Sequence, residues 1–365
     1  MKLICNLSIF GPQPHIGLSR HTDNLIGGLA ERFELDLIAG SGKLPRGNVL
    51  IKAPGTIVAG AGKIAAIRRY LWGRSMRFDP DRLVYSPSHN CFSNHPNQII
   101  TVHDLLFLHW PKHSPHIYLY FRFILPRIIK NCRAVFTVSE ASRQDISKSY
   151  GCPLEKIYVI PNGVDTSAFS PNPAVRTESD PYLLMVGGRD PHKNVPETLD
   201  MSQHWKNDYR LVIASCKQGA YRRMLEQKVI DLGLTGRVEF KDFLADDELL
   251  RLYQGAAALI YPSRFEGFGI PPLEALACGT PVIASDIPVH REVLGDTVQY
   301  VKLGNPQSWA EAIDSLNDSV TVNHRLIAGQ ERLSKFSWKN AVDALEHALL
   351  SVEPRLEYSR RNPEN

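Results

Sequence analysis

Residues 257–286 read AALIYPSRFEGFGIPPLEALACGTPVIASD. An apolar run ends at Tyr261-Pro262-Ser263 and predicts a buried strand. A loop carrying Glu266, Gly267, Phe268 and Gly269 follows. Pro271 and Pro272 suit a first helical turn, where the missing N–H is harmless. Gly279 suits the position just past the helix end, and Thr280-Pro281 leads into a second strand at Val282–Ala284. Strand, loop, helix and strand in so short a span is one step of a parallel α/β sheet. Free N–H groups at the helix start and in the loop favour a phosphate-bearing ligand. Gly267 and Gly269 let a backbone come close to it. Glu266 and Glu274 stand eight residues apart, and as carboxylates they accept hydrogen bonds from sugar or ribose hydroxyls. The plainer alternative is a loop with a capping Glu.

The same rhythm extends in both directions. Before this stretch, strands are predicted at Leu3–Ile9, Glu34–Ala39, Leu83–Tyr85, Ile99–Val102, Ala134–Val138 and Ile157–Ile160, with a first helix over 20–32. Residues 166–181, TSAFSPNPAVRTESDP, show no periodicity and read as a linker. Strands then resume at Tyr182–Val186, Leu211–Ala214, Val238–Phe240, Ala257–Tyr261, Val282–Ala284 and Val298–Val301. The expectation is two parallel-sheet domains of Rossmann type facing a central cleft. They span residues 1–172 and 173–335, followed over 336–365 by a helix and then a polar tail, PRLEYSRRNPEN, of which the tail is expected to fray. Ligand groups belong at the carboxyl ends of the strands.

Two further clusters lie at such ends. Val186-Gly187-Gly188-Arg189-Asp190-Pro191-His192-Lys193-Asn194 follows the first strand of the second domain. Arg189 and Lys193 there are candidates to neutralise a diphosphate and its developing charge. The spacing is not that of a P-loop. In the first domain His103-Asp104 follows the strand Ile99–Val102, where His103 is placed to orient a sugar or to pack. Ile16-Gly17-Leu18-Ser19-Arg20-His21 lies between the first strand and helix and lacks GxGxxG. It leaves Gly17 and Arg20 as candidates on the acceptor side. Six of the thirteen His fall between 89 and 116, but no HExxH or CxxC accompanies them, and no metal site is expected.

Apolar residues make up 43% and charged residues 22% of the 365 residues, a globular composition. No apolar run reaches the length of a membrane span, and no signal peptide is recognisable at the N-terminus. The six Cys are scattered, which fits buried thiols in a reducing compartment, the cytoplasm. Residues 1–175 carry 20 Lys+Arg against 11 Asp+Glu, whereas 176–365 carry 22 against 27. Residues 63–77, KIAAIRRYLWGRSMR, and 117–134, IYLYFRFILPRIIKNCRA, mix cations with aromatic and aliphatic groups. They suit an anionic membrane surface, or packing with a snorkelling charged edge. Neither holds a nucleic-acid-binding motif, and nucleic acid is not an expected partner.

These motifs together resemble the retaining glycosyltransferases of family 4, which have the two-domain GT-B fold. The resemblance rests first on Glu266-Gly-Phe-Gly-Ile-Pro-Pro-Leu-Glu274, the family's Glu-x7-Glu motif. Val102-His103-Asp104, Ile160-Pro161-Asn162-Gly163-Val164-Asp165 and Pro191-His192-Lys193-Asn194 support it, over roughly residues 1–350. It implies that Glu274 holds the donor ribose and Glu266 the transferred sugar. Arg189 and Lys193 would bind the diphosphate, with Gly188, Gly267, Phe268 and Gly269 lining the donor loop. His103 would lie near the anomeric carbon. Many relatives carry the phosphate Arg where Gly188 stands here, and a Gly where Ser19 stands. The implied activity is metal-independent hexosyl transfer from a UDP-glucose-type sugar or GDP-mannose, with no prosthetic group. The acceptor would be a glycan or lipid-diphosphate-linked saccharide at the cytoplasmic membrane face. A soluble acceptor, a nucleotide-sugar epimerase and a noncatalytic sugar-binding protein are the alternatives.

Overall fold

The computed structural model describes residues 1–11, 16–58, 64–111, 114–172, 175, 180–242 and 244–359, the side chains of 16–18 excepted. The chain divides into two compact units, Met1–Gly163 with Trp338–Asn365, and Val164–Ser337. The divisions fall at 163/164 and 337/338, rather than at 172/173 and 335/336. Close packing explains the first of them. A Cβ on Gly163 would lie 2.4 Å from the Trp338 backbone nitrogen, so the chain belongs to the first unit up to that glycine.

The first unit is built on seven parallel strands: β1 (Leu3–Leu7), β2 (Leu35–Ala39), β3 (Asn48–Lys52), β4 (Val84–Ser86), β5 (Gln98–Thr101), β6 (Ala134–Thr137) and β7 (Ile157–Val159). Their order is β3-β2-β1-β4-β5-β6-β7. The connecting helices are α1 (Ile16–Arg32), α2 (Ala65–Ser75), α3 (Leu106–His109), α4 (Pro115–Leu119), α5 (Leu125–Asn131) and α6 (Glu140–Tyr150). A π-helical turn, Tyr120–Ile124, joins α4 to α5. The Ala, Val, Leu and Ile of β1, β2, β4, β5 and β6 are buried almost completely, as strands covered on both faces must be. Edge strand β3 was not expected. Four of its five residues are exposed, so it carries no buried-strand run to read.

The second unit repeats the plan with β8 (Tyr182–Val186), β9 (Arg210–Ala214), β10 (Val238–Phe240), β11 (Ala258–Tyr261), β12 (Val282–Ser285) and β13 (Gln299–Val301). All pair in parallel, in the order β10-β9-β8-β11-β12-β13. Its helices are α7 (Val195–Asp200), α8 (Ala220–Asp231), α9 (Asp246–Gly255), α10 (Ile270–Ala277), α11 (Pro288–Leu294), α12 (Pro306–Asp314) and α13 (Ser319–Leu333). In both sheets the strand order reverses once, between β1 and β4 and between β8 and β11, the position where doubly wound sheets open a crevice.

The last helix, α14 (Trp338–Val352), packs on α1 in the first unit. Leu25, Ile26 and Leu29 share a core with Val342, Leu345 and Leu349. Arg32 pairs with Asp343 at 2.6 Å and with Glu346. The tail beyond α14 is not frayed at its start. Leu356 is buried, and Tyr358 stacks on Phe33 with centroids 4.7 Å apart. Leu356 and Tyr358 supply enough apolar surface to hold the segment down, although its composition is polar.

Candidate active site

In the second unit the loops after β8 and β11 flank the point where strand order reverses, and they are tied to each other. The Arg264 backbone N–H donates to the His192 carbonyl at 2.8 Å, and its Nε donates to Asn194 Oδ1 at 3.0 Å. Asn194 adopts a left-handed conformation, φ 62°, after a turn of 3-10 helix over Pro191–Lys193. Its amide donates to Glu197 Oε2 at 2.7 Å. Glu197 Oε1 in turn accepts from the Gly304 N–H at 2.6 Å and Trp309 Nε1 at 3.2 Å. Arg264 and Glu197 were not singled out from sequence, since neither lies in a motif that binds ligand.

This frame delivers Lys193 to Glu266. Lys193 Nζ lies 2.6 Å from Glu266 Oε1 and donates to Tyr261 Oη at 2.6 Å. It also stands 4.5 Å from the centre of the Tyr261 ring. Burial pushes the Glu266 carboxyl up. The neighbouring Lys193 ammonium, with His192 and hydrogen bonds to the charged form, overcomes that and brings it down to about 2. The site therefore presents a carboxylate and an ammonium side by side, both largely shielded from water. Such a pair can accept from a hydroxyl and donate to a phosphate oxygen.

Gly269, at φ 94°, caps the start of α10, and prolines occupy its first turn. No helix of L-residues enters from that conformation without strain, so the glycine fixes where the free N–H groups begin. The helix ends as predicted, with Gly279 at φ 69° and the Thr280 N–H bonded to the Ala275 carbonyl. Glu274 is buried within α10 and accepts from Tyr253 Oη at 2.8 Å. Phe268 is buried and packs edge-on against Phe336, with centroids 5.5 Å apart.

Gly188 and Arg189 differ in kind. Gly188 is buried, and a Cβ there would lie 2.3 Å from Ile213 Cγ2. Arg189 is exposed and pairs with Asp190 at 3.4 Å. The second glycine is thus a packing position against β9, and the arginine follows it at the surface. Exchanging the two residues, Gly188→Arg with Arg189→Gly, should lower the melting temperature by several degrees. Forced overpacking typically costs about 1–3 kcal/mol. A melting curve unchanged from wild type would contradict this role.

In the first unit His103 follows β5. Its Nε2 donates to the Pro87 carbonyl at 3.1 Å, leaving Nδ1 as an acceptor. Burial lowers its pKa, against the effect of that bond, and keeps the ring neutral. Asp104 Oδ1 accepts the Leu106 N–H at 2.8 Å, which starts α3. Gly17 and Arg20 lie inside α1, which begins at Ile16, four residues earlier than expected. His21 was passed over. Its ring meets His103 edge-on with centroids 4.5 Å apart, and its Nδ1 lies 2.6 Å from Asn162 Oδ1. His21 Nε2 is buried with no partner among the described residues. Among the described residues no group of three or more His, Cys, Asp or Glu is arranged to hold a metal ion.

Comparison with known proteins accounts for both halves. Residues 16–168 match the family model "Glycosyltransferase Family 4", and residues 168–332 match "Glycosyl transferases group 1". The chain is 36% identical over 330 residues to the O-antigen chain mannosyltransferase RfbU of Salmonella typhimurium, covering 86% of this chain and 90% of that protein.

The chain belongs to the family 4 glycosyltransferases.

O-antigen chain mannosyltransferase B of Escherichia coli is 26% identical over 286 residues, 75% of this chain and 74% of that one. Sucrose-phosphate synthase of Thermosynechococcus elongatus superposes with a TM-score of 0.74 at 20% identity, covering 96% of this chain and 98% of its own. Anabaena HepE in complex with UDP-glucose gives 0.72 at 19% identity, covering 96% and 100%. These two likenesses establish the GT-B fold of this glycosyltransferase family member.

Proposed function

We propose that this glycosyltransferase moves a hexose from a nucleoside-diphosphate sugar to a glycan or lipid-linked saccharide during polysaccharide assembly, with retention at the anomeric carbon and without a metal. The observation that carries the reading is the Lys193–Glu266 pair, held beside the start of α10 at the reversal point of the second sheet. Lys193, with Arg189, supplies the charge that a diphosphate leaving group needs. Glu266 accepts from the transferred sugar, Glu274 from the ribose, and the backbone of Gly267, Phe268 and Gly269 approaches the donor. Lys193 and Arg189 take the electrostatic role a divalent cation would otherwise have. In a retaining transfer without a covalent intermediate, the acceptor oxygen attacks from the face that the diphosphate leaves, and the departing phosphate oxygen takes the acceptor proton. His103 and the acceptor-side residues Gly17, Arg20 and Asp104 belong to the first unit.

The mannosyltransferase names of two relatives favour mannose as the transferred sugar, and hence GDP-mannose over a UDP-sugar. Their O-antigen names favour a saccharide acceptor carried at the inner face of the cell membrane. Thermal-shift titration with GDP and UDP tests the donor base, with GDP expected to raise the melting temperature more. Stabilisation by neither nucleotide would reject the donor reading. NMR of the product formed with EDTA present should show the donor's anomeric configuration. An inverted product, or turnover abolished by EDTA and restored by Mg²⁺, would reject the mechanism.

A further inference from the structure

We propose that Glu197 and Arg264 are positioning residues of the transfer step, holding the residues on either side of Lys193 and so fixing where its ammonium stands. The proposal rests on the donor reading above and adds to it two side chains that act through Lys193 rather than on the substrate.

A lysine by itself is a poorly fixed charge, because its ammonium ends a flexible stem of carbons. Here the stem and both chain neighbours are constrained. A Cβ on Gly187 would lie 3.2 Å from Lys193 Cε, so the stem runs close over that glycine's bare α-carbon. On one side of Lys193, the His192 carbonyl accepts the Arg264 N–H at 2.8 Å. On the other, the Asn194 side chain is used at both ends. Its Oδ1 accepts from Arg264 Nε at 3.0 Å, and its amide donates to Glu197 Oε2 at 2.7 Å. Asn194 stands at φ 62°, a left-handed conformation that a residue with a Cβ adopts at a cost and keeps only when its surroundings hold it.

Glu197 fastens this bracket to the core of the second unit. It is buried, and its Oε1 accepts from the Gly304 N–H, just after β13, and from Trp309 Nε1 on α12. Trp309 is wholly buried. Three N–H groups from separate parts of the chain thus converge on one carboxylate. Its cation is remote by comparison. Arg264 Nη2 lies 3.7 Å from Glu197 Oε2, and the Arg264 side chain is 55% exposed. A buried carboxylate with so loose an ion pair is a costly way to stabilise a fold, and apolar packing of the same volume serves stability as well or better. What the carboxylate does supply is a rigid acceptor for Asn194, one residue from Lys193. A site that works through a point charge needs it placed to within about 0.5 Å.

Release of GDP or UDP from GDP-mannose or UDP-glucose tests this, with water or an added lipid-linked saccharide as acceptor. The rate is measured at saturating sugar and counted per nucleotide-binding chain. Glu197→Gln and Arg264→Gln should each lower it about tenfold, as misplacement of a catalytic group does, with a smaller change in sugar affinity. Arg264→Gln leaves the buried carboxylate in place, so it carries the test if Glu197→Gln does not fold. In a Lys193→Ala background each substitution should change the rate less than about twofold, because the group they position is gone. Equal losses in both backgrounds would show a general structural effect and overturn the proposal. So would wild-type rates in both single variants. Arg264→Gln that weakens sugar affinity about tenfold while leaving the saturated rate unchanged would make the guanidinium a direct ligand contact, and would overturn its positioning role. The two claims separate on Lys193→Ala. If that variant is slow while the Glu197 and Arg264 variants are fast, the bracket falls and the donor reading stands. If Lys193→Ala matches wild type, the chemistry assigned to Lys193 falls and the bracket with it.

Discussion

Lys193→Ala should lower turnover at saturating donor, per folded molecule, by two to three orders of magnitude. One well-placed donor to a developing anion contributes about 3–4 kcal/mol when removed from a water-excluded site. Lys193 meets that description, because its ammonium is shielded and held by Glu266 and Tyr261, both at 2.6 Å. Removing it also strands a buried carboxylate, which is costly to stability. The two effects separate cleanly. A stability effect lowers the melting temperature and the active fraction, whereas a catalytic one persists per folded molecule, measured by active-site titration with nucleotide. Lys193→Arg keeps the charge but cannot keep the point contact, and should recover binding more than rate. Near-normal turnover of the alanine variant would remove Lys193 from the chemistry.

Glu266→Gln should cost a comparable factor in turnover, and it has a signature in acid that a passive loop residue lacks. The folded carboxyl sits at about 2, below its ordinary value of 4.5. A depressed acid stabilises the fold at pH values above the unfolded pKa, and that contribution is lost as pH falls toward the folded one. The wild type should therefore lose on the order of 3 kcal/mol between pH 5 and pH 2 from this group (roughly 1.4 kcal/mol per unit). The Gln variant starts lower at neutral pH, because Lys193 is left unpaired, and its stability falls less over the same range. Parallel melting curves across that range would show that the pair contributes nothing. Glu274→Ala is expected to act differently, raising the donor KM more than it lowers kcat, because the proposed role of Glu274 is to hold the ribose and its carboxylate is fixed within α10 by Tyr253 of α9.

The sequence revealed the second unit more fully than the first. Strands β8, β9, β11 and β12 are short, apolar on both faces and punctuated by Gly and Pro, so each could be placed within a residue or two. The Glu266–Glu274 spacing and the Pro-Pro helix start lie in one contiguous stretch, and the structure folds it as read. What could not be read was which long-range partner each side chain finds. Tyr253 lies 21 residues from Glu274, and Arg264 lies 70 from Asn194. No local periodicity records such contacts. Arg189 and Gly188 show the same limit from the other side. Composition gave two glycines and two cations in one turn, but only the contact with Ile213 shows which of those positions must stay small. In the first unit His21 was hidden by its neighbours, since Arg20 carries the obvious charge while His21 faces His103 and Asn162. Edge strand β3 escaped notice because four of its five residues are exposed, and the tail from Pro354 to Ser359 was expected to fray because its composition is polar, whereas the contacts of Leu356 and Tyr358 hold it down.

Isothermal titration of GDP-mannose and UDP-glucose into the wild type and Lys193→Ala tests the central claim, that the second unit is a nucleotide-sugar site built on the Lys193–Glu266 pair. Saturable binding of one of the two sugars at one site per chain is expected, weakened about tenfold or more when the diphosphate loses its lysine. No binding of either sugar, or an affinity that the substitution leaves unchanged, would contradict it.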